Sequence, residues 1–277
     1  MAARKQAPPP RQNRLLAFLP KDVQQRLMPE FETIFLRVRD LLHEANERIE
    51  HVYFPLSGVL SLVATMQTGM AIEVATIGNE GMLGLPLFLG VDRTPMQAFS
   101  QVAGETLRMP AATFAKQLKH EPKLASVLHR YTQALMVQIA QGTACNRAHL
   151  IEQRCCRWLL MTHDRVCTDE FVLTQQFLAL MLGVRRATVS EVAVSLQKAG
   201  LIQYRRGMIR ILDRRGLSAG FAIVTASSET NTSGCLVRPP ELLPLLCEGP
   251  DLGAPSAECP RAANSKRCGS REPIKRC

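Results

Sequence analysis

Read from its amino terminus, the chain changes its hydrophobic texture repeatedly. Residues 1–13 are polar and proline-containing and predict a mobile arm. From Leu15 to Leu42 the apolar residues cluster as LLAFLPKDVQQRLMPEFETIFLRVRDLL, a helix-leaning segment interrupted by Pro20 and Pro29. Between Ile49 and Met109 the pattern shortens to alternating or brief apolar runs: VYF, VLSLVATM, MAIEVATI, MQAFSQVA and ETLRM. Turn signals at Pro55, Ser57-Gly58, Thr68-Gly69, Gly78-Asn79 and Gly104 separate them, a spacing that predicts short antiparallel strands in a sandwich or barrel.

Pro110 opens a helical stretch with a break at Glu121-Pro122. Beyond it Leu124, Leu128, Tyr131, Leu135 and Ile139 step by threes and fours with few charges between them, as on a helix packed against another. Two partners satisfy such a stripe, the rest of the same chain or a second copy. Self-association is the reading preferred here, so these five residues are the expected dimer contacts. A further helix is expected over about 147–166, around the single tryptophan Trp158, and then a loop at Thr168-Asp169-Glu170.

The next segment has the sharpest periodicity. Thr174 stands where a helix begins, with Leu178, Met181 and Leu182 on one face beside the small Ala179. Gly183 ends that helix, because glycine takes a left-handed turn without steric cost. A second helix over about 185–199 buries Val189, Val192, Ala193 and Leu196, spaced i, i+3, i+4, i+7. After Gly200, LIQYRRGMIRIL reads as two strands around Arg205-Arg206-Gly207, a hairpin wing following a helix-turn-helix. From Ser218 neither periodicity survives, and seven of the seventeen prolines and five of the nine cysteines lie beyond it. Such a segment is expected to be a disordered tail.

Together these elements predict an α+β chain. An antiparallel β-barrel or jelly-roll sensor domain occupies 14–120, a dimerisation helix 121–145 and a winged helix-turn-helix domain 146–217. An arm at 1–13 and the tail at 218–277 flank them.

Composition sharpens this picture at one point. Hydrophobic residues make up 46% and charged residues 21% of the 277, as in an ordinary soluble protein, but the net charge is +10. Residues 173–217 hold eight basic side chains against two acidic ones, so positive charge is concentrated on the helix-turn-helix and wing. A polyanionic partner follows, either nucleic acid or an anionic surface. No run of 18 apolar residues occurs and no signal-peptide pattern opens the chain, so a cytoplasmic protein without membrane partners is expected. The cysteines form no CxxC pair, so neither a zinc site nor any other metal site is expected. Cys155 and Cys156 are read as buried, inert thiols.

Subtracting the buried stripe of the second helix leaves Arg185, Arg186, Ala187, Ser190 and Glu191 outside on its first turns. These types suit a major groove: a guanidinium bonds guanine O6 and N7 together, a carboxylate accepts from cytosine N4, and an alanine methyl touches the thymine methyl. Glu191 has an alternative, pairing with Arg185 or Arg186 to orient them. Thr174 and Thr188, with the helix amino termini, are candidates for phosphate contacts, and Arg205 and Arg206 for contacts along the backbone. A charged helix face is often merely solvated. Here the glycine turn, the buried stripe, the amino-terminal arginines and the basic wing coincide, which favours double-stranded DNA. The alternative is a ligand-sensing module docking an acidic protein, marked by steep salt dependence without sequence preference. An enzyme is not expected, since no nucleophile motif, phosphate-binding glycine loop or metal-ligand cluster occurs and the six histidines are scattered.

LTQQFLALMLGVRRATVSEVAVSLQKAGLI and VYFPLSGVLSLV resemble the winged helix-turn-helix and the opening barrel strands of the Crp/Fnr family of bacterial transcription regulators. The resemblance covers Arg14 to Leu217 and implies a homodimer that binds DNA. Family members read DNA with an arginine, a glutamate and a second arginine. Arg186 matches the first, whereas Ala187 and Glu191 stand at the other two, which implies a different site preference. Cyclic-nucleotide binders in the family carry a glutamate for the ribose and an arginine with serine or threonine for the phosphate. In EGMLGLPLFLGVDRT, Met82 falls at the glutamate and Arg93-Thr94 resembles the phosphate pair. A methionine accepts no ribose hydrogen bond, so a cyclic nucleotide is not expected and Arg93 and Thr94 stay as the candidate ligand residues. With no cysteine before Cys145, an iron–sulfur cluster of the family's amino-terminal type is not expected either, and no cofactor is assigned. Activation would also require a surface for RNA polymerase, which no stretch of this sequence identifies.

Overall fold

The computed structural model describes residues 12–223, apart from positions 68, 70 and 167; residues 1–11 and 224–277 lie outside the described residues. The expected arm therefore falls outside them except at its end, where it is corrected. Asn13 is buried, its Oδ1 accepts from Leu16 N at 3.0 Å, and its Nδ2 donates to Pro55 O and Gly81 O at 2.9 Å each. It caps α1 (Arg14–Ala17), and α2 (Lys21–Leu27) follows after Pro20.

The helix-leaning reading of 15–42 holds only this far. Beyond a 3-10 turn at Met28–Glu30 the chain forms β1 (Glu32–Leu36) and β2 (Leu41–His43). Their partners lie far along the sequence: β1 pairs with β7 (Gly104–Pro110), and β2 with β6 (Met96–Val102). The expected strands between them are β3 (His51–Pro55), β4 (Val59–Thr65) and β5 (Ala71–Ile77). Two antiparallel sheets result, ordered β1-β7-β3 and β2-β6-β4-β5, with Leu36, Tyr53, Leu60, Ile77, Leu83 and Ala98 in one buried cluster. A short α3 (Leu85–Phe88) links β5 to β6, entered through Gly84 at φ 101°, where a side chain would be strained.

Pro110 leads into α4 (Ala111–His120), and Pro122 opens α5 (Pro122–Ala148), as the break at Glu121-Pro122 predicts. The apolar stripe of α5 is corrected here. Leu124, Leu128, Tyr131 and Leu135 are buried, and Ile139 partly so, against the chain's own barrel, in one cluster with Val52, Phe54, Leu107, Met109 and Phe114. The same-chain partner accounts for them. What α5 leaves outside is a second stripe, Ser126, His129, Gln133, Met136, Ala140, Thr143 and Arg147, again stepping by threes and fours.

After α5 the chain turns at His149 into α6 (Ile151–Val166), starting later than expected. Glu170 does not sit in a loop, because Glu170–Val172 form β8, the third strand of a small sheet ordered β8-β10-β9. The helix-turn-helix is α7 (Gln175–Leu182) and α8 (Arg186–Lys198), and the wing is β9 (Ile202–Arg205) and β10 (Met208–Ile211). Order then persists past the expected boundary at Ser218. Arg214–Ile223 form α9, anchored by the fully buried Leu217; the rest of the expected tail lies outside the described residues.

This carboxyl-terminal half packs on the barrel. Val63 joins its core, Phe99 meets Phe177 edge-on at 5.9 Å between ring centres, and Arg165 on α6 forms a buried ion pair with Glu80 at 2.8 Å. Among the described residues, no helix is long and apolar enough to cross a membrane, and no group of three or more His, Cys, Asp or Glu is placed to hold a metal ion.

Candidate nucleic-acid interface

The turn between α7 and α8 follows from its glycine. Gly183 has φ 64° and ψ 39°, and Val184 N donates to Ala179 O at 3.0 Å, which ends α7 and redirects the chain. Thr174 caps α7, its hydroxyl oxygen accepting from Phe177 N at 3.2 Å. Val189, Val192, Ala193 and Leu196 fasten α8 into the core, so its opposite face is open.

That face presents Arg186, Ala187, Glu191, Val194 and Lys198, all exposed, with Thr188 half-buried beside them. Arg185 is the residue before α8 and is also exposed; no side chain caps this helix, so its first N–H groups remain open to an anion. Among the described residues, no ion pair engages Arg185, Arg186, Arg205 or Arg206, whereas Arg210 and Arg214 are held by Glu170 and Asp164. Glu191 likewise makes no ion pair with Arg185 or Arg186 among the described residues, which leaves its carboxylate free to meet a base.

Ser190 has a second role within the fold. Its hydroxyl lies 2.7 Å from Gln175 Oε1 and 3.0 Å from Arg186 O, so it ties α8 to the first turn of α7 and its proton is already engaged. Gln175, Val194 and Lys198 were not singled out in the sequence. The outward phase of α8 would have found the last two, but only the fold brings Gln175 to Ser190.

The wing completes the surface. Arg206 and Gly207 have φ 52° and 77°, the geometry of a two-residue hairpin turn. Leu173 N donates to Gly207 O at 2.8 Å, which sets the wing tip with Arg205 and Arg206 beside Thr174. Tyr204 Oη donates to Leu173 O at 2.8 Å, and Tyr204 N donates to Gln197 Oε1 at 2.9 Å, locking wing and α8 together. Thr174, Arg185, Arg186, Ala187, Thr188, Glu191, Arg205 and Arg206 thus belong to one linked unit.

The candidate ligand residues are not brought together in this way. Arg93 is exposed and donates to Asn46 O at 2.9 Å, while Thr94 is buried with its hydroxyl oxygen accepting from Met96 N at 3.3 Å. Met82 is fully buried and its carbonyl accepts from Tyr131 Oη at 2.9 Å. A Cβ on Gly81 would lie 2.5 Å from that same hydroxyl, so Tyr131 fills the space beside the loop. Cys145, Cys155 and Cys156 are buried free thiols; burial pushes the Cys155 thiol far up and Cys156 up to about 11, which keeps both protonated and unreactive.

The chain is similar to known proteins in both halves. The family model described as a cyclic nucleotide-binding domain matches residues 34–121, and that described as a Crp-like helix-turn-helix domain matches residues 153–219. No curated protein sequence matches the chain. Among solved structures, FixK2 from Bradyrhizobium japonicum is 16% identical with a TM-score of 0.59, covering 68% of this chain and 96% of its own. TTHA1359, a CRP/FNR-family transcriptional regulator from Thermus thermophilus, is 20% identical with a TM-score of 0.56, covering 69% of this chain and 98% of its own. Likeness at this identity shows a shared fold, and the two domain matches add the pairing of a sensor barrel with a DNA-binding module. The chain belongs to the Crp/Fnr family of DNA-binding transcription regulators.

Proposed function

We propose that the protein acts as a homodimer reading an inverted repeat in double-stranded DNA, with one copy of α8 entering the major groove of each half-site. The observation that carries this reading is the open face of α8, where Arg186, Ala187 and Glu191 project from a helix whose other face is buried. Arg186 pairs with guanine and Glu191 with the amino group of cytosine, while Ala187 packs on a thymine methyl. Arg205, Arg206, Thr174 and Thr188 contact phosphates and fix the register.

The dimer forms through the outward stripe of α5, around Gln133, Met136 and Ala140, rather than through the residues α5 buries on its own barrel. The barrel acts without a cyclic nucleotide, since Met82 offers no acceptor to a ribose and Arg93 is turned to solvent. RNA polymerase is the further partner if the protein activates transcription.

Selection of bound duplexes from a random pool, with purified full-length protein at moderate salt and no added ligand, tests the proposal. The expected product is an inverted repeat whose half-sites are centred about 34 Å apart, one helical turn. Uniform, sequence-blind enrichment would overturn base reading by α8 and favour the acidic-protein dock.

A further inference from the structure

The barrel face that carries the DNA-binding domain contains a circuit of hydrogen bonds that DNA reading does not itself require. Trp158 Nε1 donates to Glu73 Oε1 at 2.8 Å. Glu73 Oε2 lies 2.8 Å from Ser61 Oγ, which lies 2.7 Å from Gln101 Oε1. Gln101 Nε2 in turn donates to Thr162 Oγ1 at 3.4 Å. Trp158 and Thr162 are one turn apart on α6, while Glu73, Ser61 and Gln101 belong to the adjacent strands β5, β4 and β6. The circuit therefore runs from the DNA-binding domain across three barrel strands and back.

Proton supply decides whether it closes. Ser61 has one hydroxyl proton and two acceptors beside it, the Glu73 carboxyl and the Gln101 carbonyl. When Glu73 is charged, Ser61 donates to it and Gln101 Oε1 loses its donor. When Glu73 is protonated, it donates to Ser61, Ser61 donates to Gln101, and every bond has a proton. The indole N–H serves Glu73 Oε1 in both cases.

The surroundings bring this choice into the neutral range. Burial pushes the Glu73 carboxyl up to about 7, against the opposing pull of the Ser61 and Trp158 bonds and the positive charges of Arg165 and Arg157. Glu73 lines a small cavity at the seam between the domains, together with Gln138, Asn146, Arg154, Arg157 and Trp158. The charged and titratable groups facing it are Arg154, Arg157 and Arg165 from α6 and the Cys145 thiol from α5; β4, β6 and α7 contribute none. Arg165 is itself held by Glu80.

We infer that Glu73 is a proton-operated positioning residue: its protonated carboxyl closes the circuit and seats the DNA-binding domain on the barrel, and its ionisation loosens that seat. The sign follows from linkage. A carboxyl raised above its ordinary 4.5 when seated contributes fully below that value, and the contribution is lost as pH rises through about 7. The seated domain leaves the reading face of α8 open and holds it at a fixed angle to α5, so DNA affinity follows the seat. This last step rests on the DNA-binding reading; the seat itself does not.

Trp158 is the only tryptophan, so the emission of the full-length protein reports the circuit directly. It is recorded from about pH 5 to 9 for the wild type, Glu73→Gln and Ser61→Ala. Duplex affinity is measured at the acid and alkaline ends of the transition, at fixed salt. The wild-type emission should titrate with a midpoint near 7. Glu73→Gln should be flat, because the amide accepts from Trp158 and donates to Ser61 without titrating. Ser61→Ala should bind duplex equally at both ends of the pH range, since without the hydroxyl neither protonation state of Glu73 closes the circuit. Above the transition the wild type should bind duplex about tenfold more weakly than Glu73→Gln, and below it the two should match.

A flat wild-type trace, or the same titration in Glu73→Gln, overturns the inference. A titrating emission with parallel duplex affinities overturns the step from seat to reader. No duplex binding by any variant refutes the DNA reading, and the emission traces still decide the role of Glu73.

Discussion

Arg186 and Arg205 carry the same charge but stand in different settings, and their losses should differ in kind. Arg186 opens α8, exposed and outside any ion pair among the described residues, above a helix fastened by Val189 and Val192. Arg186→Ala should cost about 1–3 kcal/mol of binding and relax the preference at one base pair of each half-site, measured by titrating the selected duplex and its single-base variants. Equal losses on all those duplexes would count against base reading. Arg205 lies at the end of β9 beside the wing turn, off the reading helix, and its proposed contact is with the DNA backbone. Arg205→Ala should weaken every sequence alike and lower the salt slope by about one. The exposed positions of both arginines were legible in the sequence, Arg186 because the apolar stripe of α8 fixes by subtraction which side chains face outward, and Arg205 because two short strand-like runs flank Arg205-Arg206-Gly207. Ser190 has a tie that this logic does not reveal. Its phase on α8 is partly outward, but its proton is engaged by Gln175, fifteen residues upstream, a relation that no periodicity encodes.

α5 shows what periodicity can and cannot settle about an element. The stripe at Leu124, Leu128, Tyr131 and Leu135 gives the helix and its buried side correctly, yet a stripe does not say which surface covers it. The barrel covers this one. Leu128→Ala should therefore cost about 2–5 kcal/mol of folding stability through the cavity it leaves, while the native protein keeps its association state. Met136, exposed on the opposite side, is the complementary case. Met136→Asp should shift the protein toward monomer in sedimentation velocity while leaving the unfolding midpoint of dilute protein nearly unchanged. A dimer insensitive to that change would exclude the outward stripe as the interface. The elements that sequence reading missed share a physical cause. β1 and β2 carry exposed apolar residues, Phe35 and Leu41, and are defined by pairing with strands some 55–75 residues away, so their own alternation is weak. β8 has three residues and takes its identity from β10, and α9 is anchored by Leu217, the fully buried side chain among those described on it. Long elements with a regular stripe were legible, and short ones held by distant partners were not.

At the scale of the whole molecule the deciding contacts lie between the halves, and sequence patterning is blind to them. The seam joins α6 and α7 to β4, β5 and β6 through Phe99 against Phe177, Trp158 to Glu73, and the Arg165–Glu80 pair. The last is the most demanding energetically. The Arg165 side chain is 3% exposed and that of Glu80 12%, so both charges have left water and each depends on the other. Arg165 has further acceptors, with Nη1 donating to Met161 O at 3.0 Å and Nη2 to Gln138 Oε1 at 3.1 Å, but these are uncharged. Removing the carboxylate leaves a buried cation, whereas removing both charges leaves an apolar seam. Glu80→Ala should accordingly lower stability by about 3–5 kcal/mol in chemical denaturation, and the Glu80→Met, Arg165→Met double variant should lose much less. A loss below about 1 kcal/mol in Glu80→Ala would show that the pair is open to water in solution and contributes no more than a surface bridge. The shape of the transition carries separate information. If the seam is what makes the barrel and the DNA-binding domain unfold together, Glu80→Ala should split one cooperative transition into two. The Trp158 emission should then follow the less stable half, because Trp158 is bonded across the seam and its surroundings change as soon as the halves part.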